Sequence, residues 1–583
     1  MRVQGLRLGG QLTLTHSTSN IVVTLNEPIS ITTTQPVGVA LDLRVTAQPE
    51  GQTCALSELA PSTIPETDSP IFVRCVHNEV AHVTMPETLP NDPLQASFGI
   101  RDLAYPGIPY ESRPGVVGGI FPYEYRLTGL TLNGVAQNTT GVSLDFRRGT
   151  VRFTPASEGT YVVSVQIKDS GAAQKTLNQN FTIQSAASRF VFVAPSGADT
   201  AGRGTKVAPY KTLAYAIANN GPDKLVYLRK GTYVTGGFLV NDAKAKQFLA
   251  YPDEVATLDL NKAGNINVRS SALPAPRLED IDVSNVMVKG IFADPSSAGL
   301  VVRNVRWVNG QDNSTEANNA SFIFTAGGVF NAIDHRLLVQ ENDFGTYTTL
   351  QWGGFAMILY ETGYSIVENN QVRLGSLNAG ALYDKRGSQY NTFRENYVER
   401  ALNAEERVGS GIWVNARGNS VGEHIHHNLL VNANLWLGQS CFESDGCYLR
   451  NHDVHHNTLV GDRVVVNGGP FNTGSYGTRV SHNIISNGTS APFGGLSCTS
   501  RPANWTSKVS YAANLLETTS PLAHKDNECT GNNVPWAEWQ GTYGFDTPAS
   551  GSTHGAPTVL IGSGPTTGLP SGDARRTQRG HQY

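Results

Sequence analysis

An asparagine followed two residues later by an apolar side chain recurs at Asn285, Asn304, Asn342, Asn370, Asn396, Asn428, Asn457, Asn483 and Asn514. Three residues before most of these stands another apolar residue: Val301, Val339, Val367, Phe393, Ile425, Val454 or Val480. The steps from Asn342 to Asn370, Asn370 to Asn396 and Asn428 to Asn457 are 28, 26 and 29 residues, inside the window of roughly 20–50 that marks repeat architectures. The longer step from Asn304 to Asn342 requires two short coils or one coil with a long loop. Stacked coils bury their apolar columns in one continuous core. A column of Asn at the bends can hydrogen-bond along the stack and satisfy backbone groups that a turn leaves open. These asparagines are therefore expected to be structural rather than catalytic.

The rest of the composition agrees with many short strands. Only 16% of the 583 residues are charged, and there are 60 Gly and 30 Pro, which excludes coiled coils and charged disordered polymers. The formal net charge of −4 argues against nucleic acid as a partner, and no run of 18 apolar residues exists to span a membrane. The opening residues lack the apolar core of a signal peptide, so export by another route, or removal of a leader, is expected. Six cysteines fall into the local pairs Cys54 with Cys75, Cys441 with Cys447, and Cys498 with Cys529. With no CxxC spacing they read as disulfides, which places the protein outside the cytosol.

Residues 1–187 alternate apolar and polar side chains in short runs such as Gln11-Leu12-Thr13-Leu14-Thr15 and Tyr161-Val162-Val163-Ser164-Val165. Turn residues every eight to twelve positions or so mark antiparallel sandwiches. The segment from Tyr125-Arg126-Leu127 through Phe153-Thr154-Pro155 to Thr182-Ile183 resembles immunoglobulin-like domains of bacterial surface proteins. Two such modules, 1–95 and 96–187, are expected to act as spacers. The third domain, 188–583, opens with Phe192-Val193-Ala194-Pro195-Ser196-Gly197, a helical stretch to Ala218, Leu225-Val226-Tyr227-Leu228 and Gly231-Thr232-Tyr233. This order resembles the N-terminal cap of the right-handed parallel β-helix (pectate-lyase-like) superfamily, where a helix covers the open end of the stack. The expected fold is thus all-β: a parallel β-helix behind two small sandwiches. Beyond Pro521 the repeat fades, and the final residues resemble a segment that precedes one more short strand, so a longer chain is expected.

The strands before the bends can be registered on one another. Ile358-Leu359-Tyr360-Glu361-Thr362-Gly363 aligns with Leu382-Tyr383-Asp384-Lys385-Arg386-Gly387 and Trp413-Val414-Asn415-Ala416-Arg417-Gly418. That register stacks Tyr360, Asp384, Asn415 and Arg450 in one column, with Glu361 and Lys385 beside it and Arg386 over Arg417. Most coil faces carry Ser, Thr and Gly, so this charged patch stands out as a groove for an anionic polysaccharide. β-Elimination at a uronic acid needs a cation on the carboxylate, a base for the adjacent proton and an acid for the leaving oxygen. Arg386 and Arg417 supply planar cations, Lys385 is the base if neighbouring cations lower its pKa, and Tyr360 is the proton donor. Glu361, Asp384, Arg386, Asn415, Arg450, His452 and Trp413 would bind substrate.

The stretch Lys385-Arg386-Gly387-Ser388-Gln389-Tyr390-Asn391-Thr392-Phe393-Arg394-Glu395-Asn396 looks like the Lys-containing coil of the β-helical alginate lyase and chondroitinase B family. The resemblance implies that Lys385 abstracts the proton and that Arg417 assists from the next coil. That family carries two calcium-binding Glu just upstream of the Lys. Asn378 and Gly380 stand there in this chain, so no metal site is assigned and no cofactor is expected, although calcium is left open. His427, His456 and His482 share the one-before column with Glu341, Asn369 and Glu395, which reads as a stacked ladder ahead of a zinc or copper site. Two other functions compete with a lyase. A glycoside hydrolase would use Glu361 with Asp384, or Glu443 with Asp445, as its carboxyl pair. A non-catalytic glycan binder would use Trp352, Trp413 and Trp436 as stacking platforms.

Overall fold

The computed structural model describes residues 1–555 apart from 33–34, 67–69, 86–91, 315–318, 328–334, 350–353, 375–379, 401–410, 416–417, 439–446, 467–473, 489, 495–507, 526–532, 544 and 547–552. From Phe190 the chain winds into a right-handed parallel β-helix, each coil giving one short strand to each of three sheets. The first sheet runs from Phe190–Val193 to Val509–Ala512, the second from Gly231–Val234 to Thr553–Gly555, and the third from Phe238–Asn241 to Val534–Pro535.

Because strand side chains alternate between the two faces, each coil places single residues inside the stack. In the first sheet the inward column is Val302, Val339, Val367, Phe393, Ile425, Val454 and Val480. In the second it is Phe344, Val372, Val398, Leu430, Leu459, Ile485 and Leu516. All belong to one buried core, each contributing about 1.5–3 kcal/mol relative to exposure.

Between these two sheets the asparagines form a ladder. The Asn342 Nδ2 donates to Asn370 Oδ1 at 2.8 Å and to the Val302 carbonyl at 3.0 Å, while the Asn342 backbone N–H also reaches Asn370 Oδ1. The same set repeats through Asn370, Asn396, Asn428, Asn457, Asn483 and Asn514. Just before each rung stands a residue with φ of 52–59°: Glu341, Asn369, Glu395, His427, His456 and His482. This left-handed turn aims the amide inward. Two of the expected rungs fall elsewhere. Asn304 itself occupies the left-handed position (φ 51°) and Val305 takes the rung, its N–H donating to Asn342 Oδ1. Val301 consequently faces outward and packs with Leu338, Ile366 and Phe98. Asn285 lies within the strand Asp282–Met287. The stack also continues past Pro521: Leu522–Lys525 joins the third sheet, and Asp546 serves as the rung after Asn514.

The helix Leu213–Asn219 closes the first coil. Thr212 caps it by accepting from the Tyr215 N–H, Asp199 fixes Thr212, and Leu213 and Ala216 are buried against the core.

Residues 1–185 form small, mainly antiparallel sheets around two cores. One core contains Val3, Leu12, Leu14, Val73 and the Cys54–Cys75 disulfide; the other contains Tyr110, Val116, Val163, Val165 and Ile183. Cys441, Cys498 and Cys529 lie outside the described residues, so their pairings do too. These modules pack against the coils. Arg113 reaches Glu368 at 3.0 Å, Arg394 donates to Tyr123 Oη and lies over the Phe121 ring, and Arg277 donates to the carbonyls of Gly99 and Ile100. Arg2 pairs with Asp282, and Arg74 with Asp253. A module whose charged side chains are paired against the coils is held to them, because separating it would strand those charges without partners.

Candidate functional site

The third sheet carries the charged patch read from the sequence, with its register shifted by one residue. Ile358 pairs with Tyr383, Leu359 with Asp384 and Tyr360 with Lys385; on the next coil Tyr383 pairs with Trp413 and Asp384 with Val414. A one-residue slip moves a strand's side chains to the opposite face. Tyr360 and Lys385 therefore share the outer face, and Asn415 follows them there, its Nδ2 donating to Tyr383 Oη at 2.7 Å. The Lys385 ammonium lies 5.4 Å from the centre of the Tyr360 ring and 5.5 Å from that of Tyr383, and donates to Asn319 Oδ1. Arg386 donates to Tyr360 Oη and stands 3.5 Å from Glu361. Glu361 and Arg386 both take left-handed φ values, 53° and 57°, as the sheet turns its corner. The outer face thus gathers an amine, a guanidinium and two phenols. Tyr383 and Asn319 were invisible to sequence reasoning, because Asn319 arrives from a loop 66 residues upstream.

Several expected members lie elsewhere. Asp384 points into the solenoid and is 1% exposed, and Glu361 is 2% exposed, so they do not form an open carboxyl pair. Trp413 stacks on Tyr383 at 4.1 Å and donates to the Gly438 carbonyl; it and Trp436 are buried, so neither is an open platform. Arg450 sits on a separate two-stranded ribbon, Gly418–Val421 with Cys447–Arg450, and its guanidinium lies over the rings of Tyr448 and Tyr476. Arg417, Trp352, Asn378, Glu443 and Asp445 fall outside the described residues. Gly380 presses so closely on Phe355 that any side chain there would meet the ring. Among the described residues no group of three or more His, Cys, Asp or Glu is placed to hold a metal ion. The histidine ladder is present as stacked rings, His427 on His456 at 5.0 Å and His456 on His482 at 5.2 Å.

Asp384 and His452 belong instead to a second ladder inside the corner after the third sheet. Backbone N–H groups of successive coils donate to the next side chain: Leu337 to Ser365 Oγ, Ser365 to Asn391 Oδ1, Asn391 to Glu423 Oε2 and Glu423 to His452 Nδ1. Accepting at Nδ1 requires that nitrogen to be unprotonated, and burial lowers the His452 pKa to about 3. Burial also raises Asp384 to about 6 and, with the neighbouring Asp384 charge, pushes Glu423 well above the ordinary carboxylate range. The folded chain therefore keeps a proton that the unfolded chain releases near pH 4–5, and this contribution to stability declines as pH rises through that window and beyond. Glu423→Gln keeps the acceptor for Asn391 and removes the titration. Denaturant midpoints at pH 5 and pH 8 should show the variant gaining on the parent as pH rises, by up to about 1.4 kcal/mol per pH unit. Parallel curves would refute the shared proton.

No protein-family model matches the chain, and no curated protein matches it. A solved structure from Bacteroides fragilis, described as a "putative alpha-galactosidase", is similar at 9% identity, over 37% of this chain and 59% of that one, with a TM-score of 0.14. The chain spans under two thirds of that structure's length, and a likeness this slight carries no argument. Fold and site together define a parallel β-helix bearing a cation-and-tyrosine cluster on the outer face of one sheet.

Proposed function

We propose that the protein is a secreted polysaccharide lyase cleaving a uronic-acid-containing polysaccharide, alginate-like in the first instance, by β-elimination. The observation that carries this reading is the Lys385 amine beside the Tyr360 and Tyr383 rings, with Arg386 donating to the Tyr360 hydroxyl. Arg386 neutralises the uronate carboxylate, which acidifies the adjacent C5–H. Lys385 takes that proton, the C4–O bond breaks as the C4–C5 double bond forms, and Tyr360 protonates the leaving oxygen. Water then returns the proton from the amine to the phenol. Asn415, expected to bind substrate, is buried with Tyr383 and instead holds the Tyr383 ring behind the Lys385 amine. Arg417 is the second cation that the sequence offers. The Cys54–Cys75 disulfide supports an oxidising compartment outside the cytosol. Burial of Glu361 and Asp384 disfavours hydrolysis through that pair.

The test is incubation with alginate, pectate, glycosaminoglycans and ulvan while following absorbance near ~232 nm, where an unsaturated uronate absorbs and a hydrolysis product does not. Growth of that absorbance on at least one acidic polysaccharide is expected. Reducing ends without absorbance, or no cleavage of any substrate, would overturn the reading.

A further inference from the structure

Besides the groove on the third sheet, the corner leading into the first sheet carries its own aromatic edge. Only three tyrosines are among the large apolar side chains left exposed in the described residues, and all three stand on this corner: Tyr364 (49% exposed), Tyr390 (42%) and Tyr476 (51%). Tyr364 and Tyr390 occupy the same left-handed turn position on neighbouring coils, φ 58° and 56°. Their rings stack 5.2 Å apart, 19° from parallel. On the next coil that position is Gly422, φ 70°, where a Cβ would come within 2.5 Å of the Tyr390 ring, so the shelf lies open over a glycine. The column one residue earlier runs Gly363, Gln389, Val421, Arg450 and Tyr476. It ends in the Arg450 guanidinium lying over the rings of Tyr448 and Tyr476, 4.5 Å and 5.9 Å from their centres.

The Tyr364–Tyr390 shelf opens into a cleft of about 410 Å³ between the coils and the second N-terminal module, lined also by Asp92, Arg336, His424 and Asp453. Flat phenol faces flanked by hydrogen-bonding groups suit the apolar face and hydroxyl rim of a pyranose ring. Arg336 at one end of the edge and Arg450 towards the other suit carboxylates. The four coil steps from Tyr364 to the coil of Tyr476 span about 19 Å, enough for several rings of one chain.

We infer that this edge is a second, non-catalytic binding track for a linear acidic glycan, running from the Tyr364–Tyr390 shelf to the Tyr448–Arg450–Tyr476 platform. It holds a polysaccharide beside the groove, and it does not depend on elimination being the reaction at Lys385. Holding a chain at two places raises the effective concentration of its scissile bonds at the groove.

Affinity electrophoresis in gels containing alginate or polygalacturonate, with xylan as the uncharged control, tests it on the full chain. Tyr364→Ala/Tyr390→Ala and Tyr476→Ala should each weaken retention by an acidic polysaccharide about tenfold. Tyr390→Phe, which keeps the ring, should leave retention unchanged. Retention is read without turnover, so failure of the track is told apart from failure of the reaction proposed at Lys385. Equal retention of the parent and both alanine variants, with thermal midpoints unchanged, would overturn the track. So would no retention of the parent by either acidic polysaccharide, or equal retention by xylan.

Discussion

Lys385→Ala should lower turnover of the responsive uronate polymer by about 10²–10⁴-fold, the range that a positioned proton-transfer group supplies. The thermal midpoint should move by no more than a few degrees, because the amine is half-buried on an outer face and its removal opens no core cavity. Tyr360→Phe is the informative companion. It keeps the ring beside the Lys385 ammonium but removes the hydroxyl that Arg386 binds, so it should lower kcat more than it raises KM. Arg386→Ala should show the opposite balance and raise KM, since a cation on the substrate carboxylate acts in the ground state as well as the transition state. If Lys385→Ala retains full turnover, the proton is taken elsewhere and the site assignment is wrong.

The second large effect falls on stability. Asn428 lies mid-ladder: its Nδ2 donates to Asn457 Oδ1 and to the Phe393 and His426 carbonyls, and its Oδ1 accepts from both the N–H and the Nδ2 of Asn396. All of this is buried. Asn428→Ala would take this partner from the Asn396 N–H and from the Phe393 and His426 carbonyls, at about 1–3 kcal/mol for each group left unsatisfied. Partial relaxation brings the expected loss to about 3–5 kcal/mol by chemical denaturation. Asn428→Asp, which keeps the acceptors and loses the donors, should fall between the parent and the alanine variant. A loss below about 1 kcal/mol for Asn428→Ala would mean that water replaces the rung and that the ladder adds little.

The coil repeat was legible because its rungs use one residue type. Asn342 to Asn514 repeat the same amide, and the apolar columns Val339 to Val480 and Phe344 to Leu516 flank it at fixed offsets. The second ladder was not legible, because Ser365, Asn391, Glu423 and His452 do the same work with four different acceptors. His452 accordingly read as a substrate-binding residue when it is a buried rung. The site was half legible: the charged coil was recognised, but nothing in Ile358–Gly363 or Leu382–Gly387 distinguishes the true register from its neighbour. The slip of one residue sent Asp384 inside and set Lys385 beside Tyr360. The first two modules also read correctly as short antiparallel strands, while their docking went unseen because Arg113, Arg277 and Arg394 find partners far away in sequence.

In the proposed reaction the outer face around Lys385 breaks a glycosidic bond by elimination rather than by adding water. Brief digestion in H₂¹⁸O, with mass analysis of the new ends, tests it directly. Elimination leaves an unsaturated uronate at the new non-reducing end and no ¹⁸O at the new reducing end, whose oxygen remains that of the original linkage. A saturated product carrying ¹⁸O at that reducing end would contradict it.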